Sequence, residues 1–483
     1  MIAGQVYEAT QPSGVDSLGK VPAHWAVKRL RRVATVRNSN VDKLTKRGEE
    51  RVRLCNYTDV YKRPLIRADD PFMEATATKD EIDAFRLRVG DVIITKDSED
   101  WQDIGVPAYV ASTADDLVCG YHLTVLRSRS DAIVGRFLYW LLRATELRRE
   151  FSIAARGVTR YGLTLVGMKN IPILVPPPDE QAAIVRFLDH SVGRLDRAIA
   201  AKRRVVRLLE EQKRAAIHRA VTSGLDPSAP MKDSGAPWPG EVPERWKKIR
   251  LGSVARVGNG STPSRGKPYY WKNGTIPWLN SSVANQDEVE SSDQFVTSAA
   301  LAECHLPMIR AGSLLMAITG QGKTRGKVTR VLFDTTVNQH LAFIDLRVPD
   351  LRVAFVQQVL AAQYNDLRRM SDDSGSTKGA ITCADIRSIR IFAPLDVEEQ
   401  DEIVASIDRD TSHLQRMMRE IEEEIVLFEE YRTALISEVV TGKRDVRAAA
   451  AALPEAPPPA DDPLDFDAGE DDLEEALMEE APD

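Results

Sequence analysis

The feature that most limits what this chain can fold into is that it is written twice. Ser13-Gly-Val-Asp-Ser-Leu-Gly-Lys-Val-Pro-Ala-His-Trp25 returns as Ser234-Gly-Ala-Pro-Trp-Pro-Gly-Glu-Val-Pro-Glu-Arg-Trp246, an offset of 221 residues. Leu30-Arg-Arg-Val-Ala-Thr-Val returns as Leu251-Gly-Ser-Val-Ala-Arg-Val at the same offset. Leu87-Arg-Val-Gly-Asp-Val-Ile-Ile-Thr95 is answered by Ile309-Arg-Ala-Gly-Ser-Leu-Leu-Met-Ala317, and both read as a turn followed by a buried strand. His122-Leu and His340-Leu stand 218 apart, as do Phe137 and Phe355, each opening a helical pattern. Ile171-Pro-Ile-Leu-Val-Pro176 is matched by Ile389-Arg-Ile-Phe-Ala-Pro394. An offset confined to 218–222 means two homologous units that have absorbed small insertions.

Each unit ends in a long uninterrupted helical pattern, residues 179–221 and 398–440, in register through Gln181 and Gln400. Forty-three residues at the α-helical rise make a rod of about 64 Å. In the first rod, alternating 3,4 spacing selects Val185, Leu188, Val192, Leu195, Ile199, Lys202, Val206, Leu209, Lys213, Ala216 and Ala220, of which nine of eleven are apolar. The second gives Val404, Ile407, Thr411, Leu414, Met418, Ile421, Ile425, Phe428, Arg432, Leu435 and Val439. Both sustain a coiled-coil seam over five heptads. The first rod carries ten Lys or Arg against six acids, the second four against thirteen, so +4 beside −9 favours pairing with each other over self-pairing. Val221-Thr-Ser-Gly224 and Val440-Thr-Gly442 supply helix-ending glycines, and a Pro-rich connector leads on to Trp246. Antiparallel packing of the rods would put the globular units at opposite ends, a dumbbell with a pseudo-two-fold axis.

Composition narrows the chemistry. A length of 483 residues, 43% of them hydrophobic, allows two or three domains with real cores. No stretch reaches the length of a membrane helix and the start lacks a signal peptide, so a cytoplasmic protein with no membrane partner is expected. The net charge of −7 conceals thirteen acids and no Lys or Arg in residues 448–483, without which the rest carries +6. This points to a mildly basic body suited to a polyanion, plus an acidic, Pro-containing disordered tail that could serve as a tether, a solubility device or a mimic of nucleic acid. The cysteines Cys55, Cys119, Cys304 and Cys383 are isolated and read as reduced thiols, with no metal-ligand spacing.

Catalytic motifs are missing. Leu315-Met-Ala-Ile-Thr-Gly-Gln-Gly-Lys-Thr324 approaches a phosphate-binding loop, but Ala317 stands where its first glycine belongs, and the following residues alternate like a strand instead of opening a helix. There is no Asn/Asp-Pro-Pro-Tyr/Phe loop of an adenine methyltransferase. The acidic run 97–103 lacks the companion Glu-x-Lys strand of a metal-dependent nuclease, and Ser371 to Gly379 lacks the strand and helix of a nucleophile elbow. The seven histidines are scattered and single out no catalytic base. We therefore expect no catalytic residue, cofactor site or metal site in this chain.

What remains are loops rich in cations, amides and aromatics. In the second unit these hold Ser261, Thr262, Arg265, Lys267, Tyr269 and Tyr270, then Lys323, Arg325 and Lys327, then Thr377 and Lys378. The first unit offers Lys96, then Arg156, Thr159, Arg160 and Tyr161, then Lys169 at corresponding places. Lys and Arg neutralise phosphates, Arg forms bidentate bonds to purine edges, and Thr can meet a thymine methyl. These residues are the candidate DNA contacts, whereas Trp25 and Trp246 read as core anchors.

At this point residues 13–442 resemble the specificity (S) subunit of a type I DNA restriction-modification system. The resemblance rests on four repeated features: the Gly-x-Val-Pro-x-x-Trp opening, the Gly-Asp-Val-Ile-Ile-type strand, the Pro…Glu-Gln helix start (176–181 and 394–400) and the long terminal helices. It implies an α+β fold in which two homologous target-recognition domains are joined by two long helices forming an antiparallel coiled coil. The division follows as an N-terminal segment (1–20), recognition domain 1 (21–176), spacer helix 1 (177–224), a linker (225–241), recognition domain 2 (242–394), spacer helix 2 (395–442) and the acidic tail (443–483).

The resemblance further implies a non-catalytic subunit that binds double-stranded DNA and scaffolds two methylation subunits and restriction subunits. S-adenosylmethionine, ATP and Mg2+ would be held by those partners, which would carry adenine-N6 methylation and cleavage. Since the two readers differ, an asymmetric bipartite target with an unread spacer is expected, with the spacer set by the helices. The alternatives are a single-chain DNA-modifying enzyme or nuclease, which the missing motifs oppose, and a coiled-coil scaffold without DNA binding.

Overall fold

The computed structural model describes residues 6–129, 131–236, 238–320, 324–372 and 379–454. They divide into two compact units: one takes the chain through Arg203 and resumes at Glu423, and the other is Arg204–Glu422. Each long helix thus gives one part to each unit.

In the first unit the strand anticipated after Gly90 is Val92–Thr95, and all four of its residues are buried. It sits at the middle of a five-stranded sheet in the order Ala34–Asn38, Leu123–Ser128, Val92–Thr95, Pro107–Val110, Leu65–Ile66. The last pairing is parallel and the others are antiparallel. A helix that is apolar nearly all round must be buried, and Gly135–Leu142 (GRFLYWLL) is buried at every position but Arg136. A second sheet orders Leu117–Cys119, Glu50–Cys55 and Met73–Ala77.

The second unit repeats this frame strand for strand. Its five-stranded sheet runs Ala255–Asn259, Leu341–Leu346, Leu314–Ala317, Val328–Val331, Glu288–Val289, again with only the last pairing parallel. The ladder is equivalent at residue level: Leu126 faces Val92 in one unit and Ile344 faces Leu314 in the other. The strand Val328–Val331 lies where the alternating pattern after Thr324 predicts one.

The linker expected at 225–241 is part of the repeat, because Met231–Asp233 pairs with Glu241–Pro243 as Thr10–Pro12 pairs with Lys20–Pro22. The tail expected at 443–483 takes in residues that are folded into the first unit. Residues 443–454 belong to the first unit, with helix Arg447–Ala451 and buried Val446 and Ala450, because these apolar side chains join the core beside Trp25. The remainder of the acidic tail lies outside the described residues. Among the described residues no helix is long and apolar enough to cross a membrane, and no group of three or more His, Cys, Asp or Glu could hold a metal. All four cysteines are free, and burial raises the thiol pKa of Cys55 and Cys119.

The long helices are Pro178–Ser223 and Val397–Val440. Every residue of the two expected seams is buried or half-buried. In the first unit Asp196 meets Arg432, while Lys202 and Arg203, about two turns on, meet Glu424 and Glu429, which lie earlier in the second helix, so the pairing is antiparallel. In the second unit Ile217, Ala220 and Val221 share a core with Ile403, Val404 and Ile407.

The repeated Glu-Gln has a structural reason. Gln181 Oε1 accepts from Val134 N at 2.8 Å while its amide donates to Pro176 O at 2.9 Å. Gln400 Oε1 accepts from Arg352 N at 2.8 Å and its amide donates to Asp350 O at 2.8 Å and Pro394 O at 2.9 Å. Each glutamine thus fastens the foot of a long helix to the start of another helix of its unit, Gly135–Leu142 in the first and Val353–Ala362 in the second. The repeated tryptophans fasten the other side: Trp25 and Trp246, 2% and 1% exposed, lie against Gly442 and Gly224 at the helix ends.

Candidate nucleic-acid interface

In the first unit the central strand ends at Thr95, and its continuation brings the candidate residues together. Asp97–Ser98 forms the edge of a small sheet with Tyr161–Leu163 and Ala155–Gly157, so Lys96 and the 156–161 hairpin share one surface. Arg156, Thr159 and Arg160 are exposed, Tyr161 is half-buried, and Val158 at the tip is 87% exposed. Lys96 Nζ donates to Ser39 O at 3.3 Å and lies 4.3 Å from the centre of the Tyr121 ring. Burial pushes this ammonium below the usual lysine range, with Asp97 opposing the shift. A desolvated cation of this kind gains more from an arriving phosphate than a solvated one. Lys169 is half-buried at the end of the short helix Leu165–Lys169, and the next residue, Asn170, meets Arg29 and Arg31.

Sequence reasoning missed His122. Its ring nitrogen Nδ1 is 3.1 Å from Asp97 Oδ2, and the rings of Tyr121 and Tyr57 meet it edge-on at 4.9 and 5.7 Å. The exposed Tyr121 was missed as well.

In the second unit the loop after strand Ala255–Asn259 carries six candidates. Arg265 stacks on Trp271 with 3.6 Å from guanidinium carbon to ring centre, and also hydrogen-bonds Gln294. This stacking fixes a fork that would otherwise have to be ordered on binding. Lys267 and Tyr269 are exposed. Tyr270 is 5% exposed and donates to Glu303 Oε2 at 2.8 Å, so it supports the loop from below. Ser261 is half-buried, and its carbonyl accepts from Trp278 Nε1 at 3.1 Å. Arg325, 3% exposed, is also interior, while Lys327 donates to Asn285 Oδ1 at 2.9 Å. Lys323, Thr377 and Lys378 lie outside the described residues.

Thr262 heads a chain of side-chain bonds. Its hydroxyl donates to Gln339 Oε1 at 2.8 Å, the Gln339 amide lies 2.9 Å from His340 Nε2, and His340 Nδ1 lies 2.7 Å from Thr319 Oγ1. His340 matches His122, and Thr319 matches Asp97. The backbone around them is also shared: Leu163 N donates to Lys96 O and Ile381 N donates to Ile318 O, both at 2.8 Å. The signal that could have found these histidines was their recurrence at one offset. Neither set joins a nucleophile, a base and a carboxylate; among the described residues His122 has Asp97 without a hydroxyl, and His340 has Thr319 without a carboxylate. The arrangement offers hydrogen-bond donors, acceptors, cations and ring faces, which is binding chemistry.

Comparison with known proteins gives the same direction. A family model for the type I restriction modification DNA specificity domain matches residues 22–203 and 243–426. The type I restriction enzyme EcoR124I/EcoR124II specificity subunit of Escherichia coli is 25% identical over 396 residues, spanning 80% of this chain and 89% of that one. The type I restriction enzyme MjaIX specificity subunit of Methanocaldococcus jannaschii is 23% identical over 394 residues, spanning 78% of this chain and 84% of that one. A solved chain from work on complex assembly and conformational transition of the type I R-M system aligns with a TM-score of 0.62 at 19% identity, covering 87% of this chain and 98% of that one, and supports the fold.

Proposed function

The chain belongs to the family of type I restriction modification DNA specificity domains, and from that premise we propose that its two units each read one half of a split, asymmetric sequence in double-stranded DNA. The observation that carries this is a single frame holding two different sets of readers. The strand exits at Lys96 and Ile318 share their backbone bonds, yet the first unit presents Lys96, Tyr121, Arg156 and Arg160 beside its exit and the second presents a loop with Arg265, Lys267 and Tyr269. Equal frames imply equal docking, and unequal side chains imply unequal base contacts.

On this reading the chain supplies the address. Two methylation subunits dock on it and transfer a methyl group to adenine N6, extracting the base from the stack to do so. S-adenosylmethionine, ATP and Mg2+ belong to those subunits and to restriction subunits, and the assembly works in the cytoplasm.

The test is a gel shift with co-expressed methylation subunits at a stated salt concentration, together with the adenine-methylation pattern of a host with and without the chain. One bipartite motif should vanish with the chain. Methyl transfer by the purified chain alone, or an unchanged pattern, would overturn the reading. Lys96→Gln should weaken binding to matched and mismatched duplexes alike and lower the salt slope by about 1.

A further inference from the structure

We infer that His340, acting through Gln339, is a positioning residue that sets the Thr262 end of the 260–271 loop for base reading, and that His122 holds the equivalent place in the first unit through Asp97. This deepens the DNA-reading proposal and rests on it.

The argument begins with what each group can donate and accept. Thr262 gives its hydroxyl hydrogen to Gln339 Oε1, and the amide end of Gln339 then faces His340 Nε2. An amide nitrogen only donates, so Nε2 serves as the acceptor here and Nδ1 as the donor. The Nδ1 hydrogen points to Thr319 Oγ1. The tautomer is thus fixed by the chain of partners, and the chain runs in one direction from loop to strand exit. The ring is held in turn by its own backbone, since His340 N donates to Asn338 Oδ1 at 3.0 Å and Ile318 N donates to His340 O at 3.0 Å.

Gln339 is exposed, and each end of its amide already holds one protein partner, which fixes the amide plane between the loop and the ring. A glutamine that reads adenine must turn both ends of that plane to the base. Gln339 therefore serves as a strut, and the free donors and acceptors lie farther along the loop it braces. In the first unit the matching ring is held by Asp97, whose strand pairs with the Tyr161–Leu163 strand of the reading hairpin. One histidine position thus braces a different loop in each unit.

The experiment uses the full chain in complex with its methylation subunits, with matched duplexes and duplexes carrying single changes in either half-site. Gln339→Met keeps the volume and removes both bonds, and Thr262→Val removes the first donor. Each variant should lower discrimination at one half-site by roughly 2- to 10-fold, leave the other half-site unchanged and keep the thermal melt of the parent. The double variant should lose no more than the worse single one. His340→Gln, whose longer side chain carries its amide oxygen toward the Nε2 position and can accept from Gln339, should retain more discrimination than His340→Ala. Additive losses would make Gln339 a direct reader, and equal losses at both half-sites or none would remove the strut; either result overturns the inference. Loss of all sequence preference by the parent complex would instead strike the DNA-reading proposal itself.

Discussion

Replacing Gln400 with methionine tests how a long helix is joined to its recognition unit. Methionine fills nearly the same volume, so the change removes hydrogen bonds without opening a cavity. Gln400 is fully buried, and its loss would orphan Arg352 N, Asp350 O and Pro394 O, all now bonded at 2.8–2.9 Å. The bond to Pro394 O is buried and the other two are part-buried, so at about 1–2 kcal/mol for each group left unpaired the cost is at most roughly 3–6 kcal/mol. Gln181 has two comparable bonds, and its third, to Ala132 O, stretches to 3.4 Å. Gln181→Met should accordingly cost less, about 2–4 kcal/mol. Urea unfolding of the full chain, read with hydrogen exchange at the amides of residues 352 and 134, checks both the size and the place of each loss. A loss below about 1 kcal/mol for Gln400→Met, or exchange that rises equally in both units, would refute the joint.

The glycines that end the long helices should differ in tolerance. Both adopt positive φ, 73° at Gly442 and 71° at Gly224, but an added Cβ would lie 2.3 Å from Pro22 Cδ at the first and 3.4 Å from Trp246 at the second. Gly442→Ala should cost roughly 2–5 kcal/mol and Gly224→Ala about 1–2 kcal/mol in urea unfolding. Tyr7 makes stability fall in alkali: burial, then its bond to Glu180, raise its phenol pKa above the usual 10.0. A raised folded value means that the stabilisation is complete below pH 10 and drains as pH climbs past it. Tyr7→Phe should flatten the decline of Tm measured above pH 10, and an unchanged slope would place the titration elsewhere.

The frame was legible because its signals are local or periodic. The seam residues from Val185 to Ala220 follow 3,4 spacing, and the strand at Val92 follows a turn, so each could be placed without knowing its neighbours. Residues 443–454 were misread because acidic composition beyond Ala452 outweighed two short apolar side chains, Val446 and Ala450, whose burial depends on contacts with distant residues. The linker was misread because prolines disguise a hairpin whose pairing needs its partner strand. Among the candidate contacts, residue type alone could not separate the exposed Arg156 from the interior Arg325, nor exposed Tyr269 from buried Tyr270, since side-chain direction is set by the loop path.

The first turn of each long helix shows how a duplicated frame permits divergence. Glu180 and Glu399 occupy matching positions where the helix N-terminus favours a carboxylate. Glu180, 4% exposed, takes its donors from Tyr7 and from His24 at 2.7 Å. Glu399 takes Arg245 at 2.9 Å and Trp246 Nε1 at 3.0 Å. The acceptor is fixed by the helix, while its donors come from the segment around the repeated tryptophan and have been exchanged. Since a partly buried carboxylate requires only that its oxygens be satisfied, any donor of suitable reach suffices. The same freedom applies at the strand exits, where the histidine is kept and Asp97 is exchanged for Thr319. A change of reading loop then needs only a new partner for a fixed ring, and the sheet beneath need not move.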